Sequence, residues 1–121
     1  MAFARANHVL LVRHTPSDVD LDISLGWTAF EQEAVAHPQV ARFGRHRVPM
    51  ASPEDLVIFK AIAGRPKDTD DAAALLLLYP RMDLARVRAK VRELAEAADE
   101  PELVAGLEAV IKLAREARRK R

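Results

Sequence analysis

Two aspartates lie two positions apart near the start of the chain, in a segment that is typical of a β-strand. In residues 19–25 apolar and polar side chains alternate, and Asp20 and Asp22 occupy two of the polar positions. Residues at this spacing project from one face of a strand, with Cα atoms about 6.6 Å apart at a rise of roughly 3.3 Å per residue. Two such carboxylates can share a Mg²⁺, which prefers oxygen ligands and supports phosphoryl-type transfer. The pair is a candidate metal site, although aspartates on a strand more often form a solvated face.

Charged residues of both signs crowd one short segment in the middle of the chain: Lys60, Arg65, Lys67, Asp68, Asp70 and Asp71. Basic side chains at a turn before a helix N-terminus can bind phosphate. Structural explanations exist for the same residues. Asp68 can be a helix N-cap with Asp71 at the third helical position, Arg65 and Lys67 can follow a helix C-terminus, and Lys60 can extend its stem along a helix. The number of charges in one turn favours a phosphate site.

The sequence of this segment resembles a known family. Asp-Leu-Val-Ile-Phe-Lys followed by Ala-Gly-Arg-Pro-Lys-Asp-Thr-Asp-Asp closely resembles the Asp-Leu-Ile-x-x-Lys…Arg-x-Lys-Asp-x-x-Asp signature of nucleotidyltransferases of the minimal and AbiEii-toxin type. Upstream, Val-Asp-Leu-Asp-Ile-Ser-Leu-Gly-Trp-Thr-Ala-Phe-Glu and then Arg-Val-Pro-Met-Ala-Ser-Pro-Glu-Asp-Leu are similar to those proteins in the same order. The resemblance covers residues 8–80 and implies transfer of a nucleotidyl group from an NTP to a hydroxyl acceptor.

The resemblance also implies a role for each residue at a matching position. Asp22 would be a catalytic carboxylate that helps to activate the acceptor, and Asp20 and Asp22 would be the ligands of Mg²⁺. Lys60 would be a second catalytic residue that reaches toward the phosphates. The substrate-binding residues would be Arg65, Lys67, Asp68 and Asp71, with the aspartates orienting the basic side chains. These roles require the strand of Asp22 to lie beside the turn at residues 65–71.

One part of the family signature has no counterpart here. Those nucleotidyltransferases carry a Gly-Ser shortly before the Asp-x-Asp pair that holds the metal ions, whereas no glycine precedes Gly26. The setting of Asp22 matches the strand of the family's third carboxylate, which implies that the chain begins inside the family domain. Three alternatives follow. The chain is a truncated or degenerate relative, a non-catalytic module that associates with itself. It is a subunit of a split transferase or of a toxin–antitoxin pair. Or it is a transferase that uses Asp20 and Asp22 as its metal pair.

The elements that would position these residues indicate an α+β fold, with strands first and helices afterwards. Strands are predicted at residues 9–12 and 19–25, and a short helix follows at 28–36 with Thr28 as its N-cap. Residues 40–48 form a small hairpin in this interpretation. After residue 50 the apolar residues recur every three or four positions, which predicts four helices that begin near residues 53, 68, 84 and 100.

We therefore predict a single nucleotidyltransferase-like domain over residues 1–121, truncated at its N-terminal side, with a sheet part at 1–50 and a helical part at 51–121. The sheet would contain three or four strands, and the apolar side of the second strand is expected to meet helices. A sheet this thin leaves an edge whose backbone groups need a partner. A homodimer or a complementary subunit is expected at that edge.

Composition narrows the class of protein. The chain is 50% hydrophobic and 31% charged, and its lack of cysteine excludes disulfides, iron–sulfur clusters and cysteine-ligated zinc. A net charge of +1 provides no global field for nucleic acid or anionic lipid, so a nucleic-acid contact would need a local patch such as the basic tail at residues 112–121. The longest apolar run, residues 72–79, is too short to cross a bilayer. We expect a cytoplasmic protein with no membrane partner.

Overall fold

Backbone hydrogen bonding forms six helices and four strands in residues 2–121, which are the residues that the computed structural model describes. They divide into two compact units, one that ends at Pro38 and one that spans Gln39–Arg121. The first unit contains α1 (Ala2–Asn7), β1 (Val9–His14), β2 (Val19–Ser24) and α2 (Ala29–Ala36). The second contains β3 (Gln39–Phe43), β4 (His46–Met50), α3 (Pro53–Ala63), α4 (Pro66–Leu78), α5 (Leu84–Ala98) and α6 (Glu102–Arg119). The predicted α+β class is confirmed, and α1 is an addition to the predicted elements.

β1 and β2 form an antiparallel hairpin that pairs Val12 with Leu21 and Arg13 with Asp20. Residues directly opposite each other share a face, so one face of this hairpin is apolar and the other carries the charges. The apolar face carries Leu10, Val12, Val19, Leu21 and Ile23, with His14 opposite Val19 at its end. The prediction that this face meets helices is wrong for Val19 and Leu21, which are 57% and 56% exposed. The two helices of this unit have only 6 and 8 residues, too little surface to cover it.

α2 begins with the capping box that the sequence predicts. The Thr28 hydroxyl accepts a hydrogen bond of 3.2 Å from the Glu31 N–H, and the Glu31 carboxylate accepts one of 3.0 Å from the Thr28 N–H. This arrangement satisfies two backbone donors that a helix start leaves free. Phe30 and Ala34 on α2 and Ala4 on α1 are the buried apolar side chains of the first unit.

The second hairpin is separate from the first. Within residues 2–121, β3 and β4 pair with each other and not with β1 or β2, so the expected single sheet of three or four strands is wrong. The turn between them needs only Gly44 and Arg45, and Gly44 adopts the left-handed conformation (φ 61°). A two-residue turn pairs the two strands that it connects, so the hairpin forms locally. The strand propensity of these residues does not indicate whether the hairpin also pairs with another sheet.

Four helices form the rest of the second unit. α3 begins where Ser52 accepts a hydrogen bond from the Asp55 N–H, and it ends at Gly64, whose φ of 64° is left-handed. α4 begins at Pro66 and not near residue 68, because proline suits the first helical position and Arg65 takes the N-cap. The buried apolar side chains are Val57, Ile58, Ala72, Leu76, Val87, Val91, Ala95, Leu107, Val110, Ile111 and Ala114. In the part of the chain that the structure describes, none of the helices has the length and apolar character that a membrane crossing requires.

Candidate functional site

The predicted site residues fall into two groups, one in each compact unit. Asp20 and Asp22 lie on β2 in the first unit. The basic residues and the remaining aspartates lie at the junction of α3 and α4 in the second unit. The expectation that both groups line one pocket stays a prediction.

The two aspartates of β2 project from the same face, as predicted, but they differ in what they bind. The Asp20 carboxylate accepts hydrogen bonds of 2.6 and 3.0 Å from the Arg13 guanidinium, which lies directly opposite on β1. Arg13 also donates to Asp18 at 2.8 Å. Asp22 lies opposite Leu11 and is exposed, and within residues 2–121 no hydrogen bond or ion pair engages its carboxylate. Asp22 is therefore the free carboxylate of this face.

These donors can be compared with what Mg²⁺ requires. The ion usually takes one or two carboxylates together with substrate oxygens and water. Asp20 is engaged by a guanidinium, and among the residues described no group of three His, Cys, Asp or Glu side chains is placed to hold a metal ion. Asp22 is the carboxylate at this place that is free to bind the ion, and Mg²⁺ at Asp20 and Asp22 stays a prediction.

At the junction of α3 and α4 the structure brings four of the predicted residues into one cluster. The Lys60 ammonium lies 2.8 Å from an oxygen of Asp71 and 3.2 Å from an oxygen of Asp68. Arg65 donates two hydrogen bonds to Asp68, at 2.6 and 3.2 Å. We name Lys60, Arg65, Asp68 and Asp71 the junction cluster. Lys67 is exposed on the surface and forms no ion pair among the described residues.

The local sequence explains how the junction cluster forms. Gly64 ends α3 in the left-handed conformation, and Pro66 starts α4 two residues later, so the two helices turn back on each other over a short connection. Asp68 and Asp71 are three residues apart and share the face of α4 that meets Lys60. The prediction that Asp68 is the N-cap is wrong, because it lies within the first turn and binds the side chain of the N-cap residue Arg65.

The protonation of the cluster follows from these contacts. The hydrogen bond from Arg65 lowers the pKa of Asp68 to about 2, against the opposing effect of burial and with the help of Lys60. Hydrogen bonds to Asp71 and then to Asp68 raise the pKa of Lys60, and the bond to Asp68 raises the pKa of Arg65. These pKa shifts favour the charged forms of Lys60, Arg65 and Asp68. The cluster contains two basic and two acidic side chains, so its formal charges cancel. A cluster without net positive charge is a poor site for phosphate, and its electrostatics favour the role of an inter-helix contact.

A cavity adjoins the junction cluster. It has a volume of about 180 Å³ between α3, α4 and α6, and apolar groups such as Ala72, Leu103 and Val110 line most of it. Lys60 and Glu102 are its charged lining residues. Because Lys60 already binds two carboxylates, the cavity offers little unsatisfied polarity to orient a ligand.

Sequence reasoning missed a further ion pair built from the same signature. Asp55, the first residue of the Asp-Leu-Val-Ile-Phe-Lys segment, accepts a hydrogen bond of 2.8 Å from Arg86 of α5, and its side chain is 3% exposed. The sequence shows Asp55 only as an acidic residue in a first helical turn, where it complements the helix dipole. Its partner is 31 residues away, and only the packing of α5 on α3 brings the two together.

The fold and these contacts define an α+β protein in which ion pairs join α3 to α4 and to α5. No protein-family model, no curated protein and no solved structure matches the chain.

Proposed function

We propose that this chain is a nucleotidyltransferase-like interaction module that acts by binding a second copy of itself through the β1–β2 hairpin and not by catalysis on its own. The observation that carries the proposal is the exposed apolar face of that hairpin. Leu21, Val19 and Val12 are 56%, 57% and 40% exposed there. Two-stranded hairpins are marginally stable in water unless further strands or a helix complete them.

The outer edge of β1 is suited to receive another strand. The Leu25 N–H donates to the His8 carbonyl at 2.7 Å, so this pair is of the hydrogen-bonded kind. Hydrogen-bonded and non-hydrogen-bonded pairs alternate along an antiparallel ladder. The same register therefore directs the N–H and C=O of Leu11 outward, away from β2. No described strand pairs with that edge.

Charge favours β1 over β2 as the edge that pairs with a second copy. Two antiparallel β1 strands centred on Leu11 place Leu10 of one copy opposite Val12 of the other and join their apolar faces on one side. Two β2 strands centred on Leu21 place Asp20 opposite Asp22, and like charges directly opposite each other are destabilising. A four-stranded sheet with two β1 strands at its centre is the assembly that this chemistry supports.

The oligomeric state tests the proposal, with one substitution aimed at the outward backbone. Leu11→Pro removes the outward N–H and leaves the bonds to β2 in place, since proline is tolerated where an edge N–H faces solvent. Leu11→Thr is the matched control, because it shortens the side chain and keeps the N–H. Light scattering after size exclusion should give a dimer for the wild type and for Leu11→Thr and a monomer for Leu11→Pro. A wild-type monomer at every concentration would overturn the self-association.

A second candidate, a transferase completed by another chain, is favoured by the free carboxylate of Asp22. In that reaction an acceptor hydroxyl attacks the α-phosphorus of an NTP, pyrophosphate leaves, and Asp22 accepts the hydroxyl proton. The test is transfer of a radiolabelled nucleotidyl group with Mg²⁺ present and a complementary chain added. Asp22→Asn should abolish labelling. Asp18→Asn, which removes a hydrogen-bond partner of Arg13 and carries no assigned role, serves as the control and should leave labelling largely intact. Labelling that survives Asp22→Asn contradicts this candidate.

A further inference from the structure

The β3–β4 hairpin carries three arginines and no acidic residue. Arg42 lies on β3, Arg45 is in the turn, and Arg47 lies on β4. The register places Arg42 directly opposite Arg47, so both side chains project from the same face of the two-stranded ribbon. All three residues are exposed.

This arrangement works against the stability of the isolated hairpin. Like charges directly opposite each other on a sheet repel, and within residues 2–121 none of the three arginines forms an ion pair with a carboxylate. In the helical part of this unit Arg65 is paired with Asp68 and Arg88 with Glu108, whereas the hairpin itself holds no carboxylate that could pair with its arginines. The folding of this unit therefore does not account for the three arginines, whereas an anion bound between them would remove the repulsion.

Both faces of the ribbon are open. Every residue of β3 and β4 except Ala41 is exposed, and Gly44 makes the tip narrow. A two-stranded ribbon fits the major groove of B-form DNA, which is about 12 Å wide and is bordered by phosphates on both sides. Guanidinium groups bind phosphate oxygens in a bidentate manner.

We propose that the β3–β4 hairpin binds double-stranded DNA by entering the major groove, with Arg42, Arg45 and Arg47 on the phosphodiester backbone. This inference does not depend on the proposed self-association or on nucleotidyl transfer. Contacts of this kind position a protein on DNA and carry no sequence information directly. Binding should accordingly be insensitive to sequence and sensitive to salt.

The salt dependence gives the expected size of the effect. Three phosphate contacts predict a slope of about −2.7 for log affinity against log salt concentration, so affinity should fall about 40-fold between roughly 50 and 200 mM salt.

The probe is a fluorescein-labelled DNA duplex of mixed sequence, and fluorescence anisotropy measures binding to the full chain. The single strand of the same sequence and an RNA duplex are measured in parallel. Groove entry predicts that both bind at least several-fold more weakly than the DNA duplex.

Two double variants of equal charge change test the residues. Arg42→Gln with Arg47→Gln should lower duplex affinity at least tenfold and reduce the salt slope by about 2. Arg81→Gln with Arg92→Gln removes two exposed cations outside the hairpin and should change affinity less than twofold. The thermal midpoint of the hairpin variant should equal or exceed that of the wild type, because a like-charge pair is gone. Equal losses in the two variants, equal binding of the single strand, or no duplex binding at low salt would each overturn the proposal.

Discussion

Arg86 donates a hydrogen bond of 2.8 Å to the carboxylate of Asp55, and this ion pair joins the first turn of α3 to the first turn of α5. Lys60, at the other end of α3, binds Asp68 and Asp71 of α4. Asp55 and Lys60 therefore join α3 to α5 and to α4. This relationship gives the two residues a structural role that is independent of any chemistry on phosphates.

The first prediction concerns the Asp55–Arg86 pair. Asp55→Ala removes the charged acceptor of this hydrogen bond, and because the Arg86 side chain is 39% exposed we expect a loss of about 2 kcal/mol of unfolding free energy. Chemical denaturation measures the loss. Asp70→Ala, on the exposed side of α4, should change the unfolding free energy by less than about 0.5 kcal/mol. A loss at Asp55 no larger than at Asp70 would show that the pair contributes nothing to folding.

The second prediction concerns stability at acid pH. The pKa of Asp68 is lowered from 3.8 to about 2 in the folded chain, chiefly by its hydrogen bond from Arg65. A carboxyl group whose pKa is lowered by folding stabilises the fold above its unfolded pKa, and this stabilisation is lost as the pH falls through the folded pKa. Between roughly pH 4 and pH 2 the wild type should therefore lose more stability than Asp68→Asn.

The measurement for this second prediction is the unfolding free energy of both proteins at several pH values over that window. The pKa values of Glu31 and Glu108 are also lowered, so both proteins lose some stability in acid. The difference between the two curves isolates Asp68. Parallel curves for the two proteins would contradict the lowered pKa.

The third prediction concerns the contact between α5 and α6. Arg88 donates two hydrogen bonds to Glu108, at 2.6 and 3.1 Å, and lowers the pKa of that carboxyl. The Glu108 side chain is 47% exposed, so water and salt screen the pair. A double-mutant cycle with Arg88→Ala and Glu108→Ala should give a coupling of about 0.5 kcal/mol that shrinks in high salt. A coupling above roughly 2 kcal/mol would mean that the pair is far less hydrated than its exposure indicates.

The fourth prediction concerns the capping box of α2. Thr28→Ala removes the oxygen that accepts from the Glu31 N–H and should destabilise the first unit by about 1 kcal/mol. Hydrogen exchange of the amides in residues 29–36 reports this change locally. Thr28→Ser keeps the acceptor and should restore protection. Unchanged exchange in Thr28→Ala would show that the cap does not limit the opening of the helix.

The sequence by itself determined the elements whose signals are local. The N-cap of α2 at Thr28 and the hairpin over residues 40–48 depend on hydrogen bonds or backbone angles within a few residues, and the sequence predicts both where the structure has them. The same-face placement of Asp20 and Asp22 followed from the two-residue period of a strand. The position of Arg42 opposite Arg47 could also have been predicted from the sequence, because a two-residue turn sets the register of its strands.

Only the tertiary structure decided which charges meet. Asp55 and Arg86 are 31 residues apart in sequence, and the junction cluster requires two helices to fold back on each other before Lys60 can meet Asp71. The sequence likewise did not reveal that the second hairpin pairs apart from the first, or that the apolar face of β2 stays exposed. The physical reason is that ion pairing and burial depend on how whole elements pack. The free energy of that packing is distributed over distant residues, whereas caps and turns are decided within one turn of the chain.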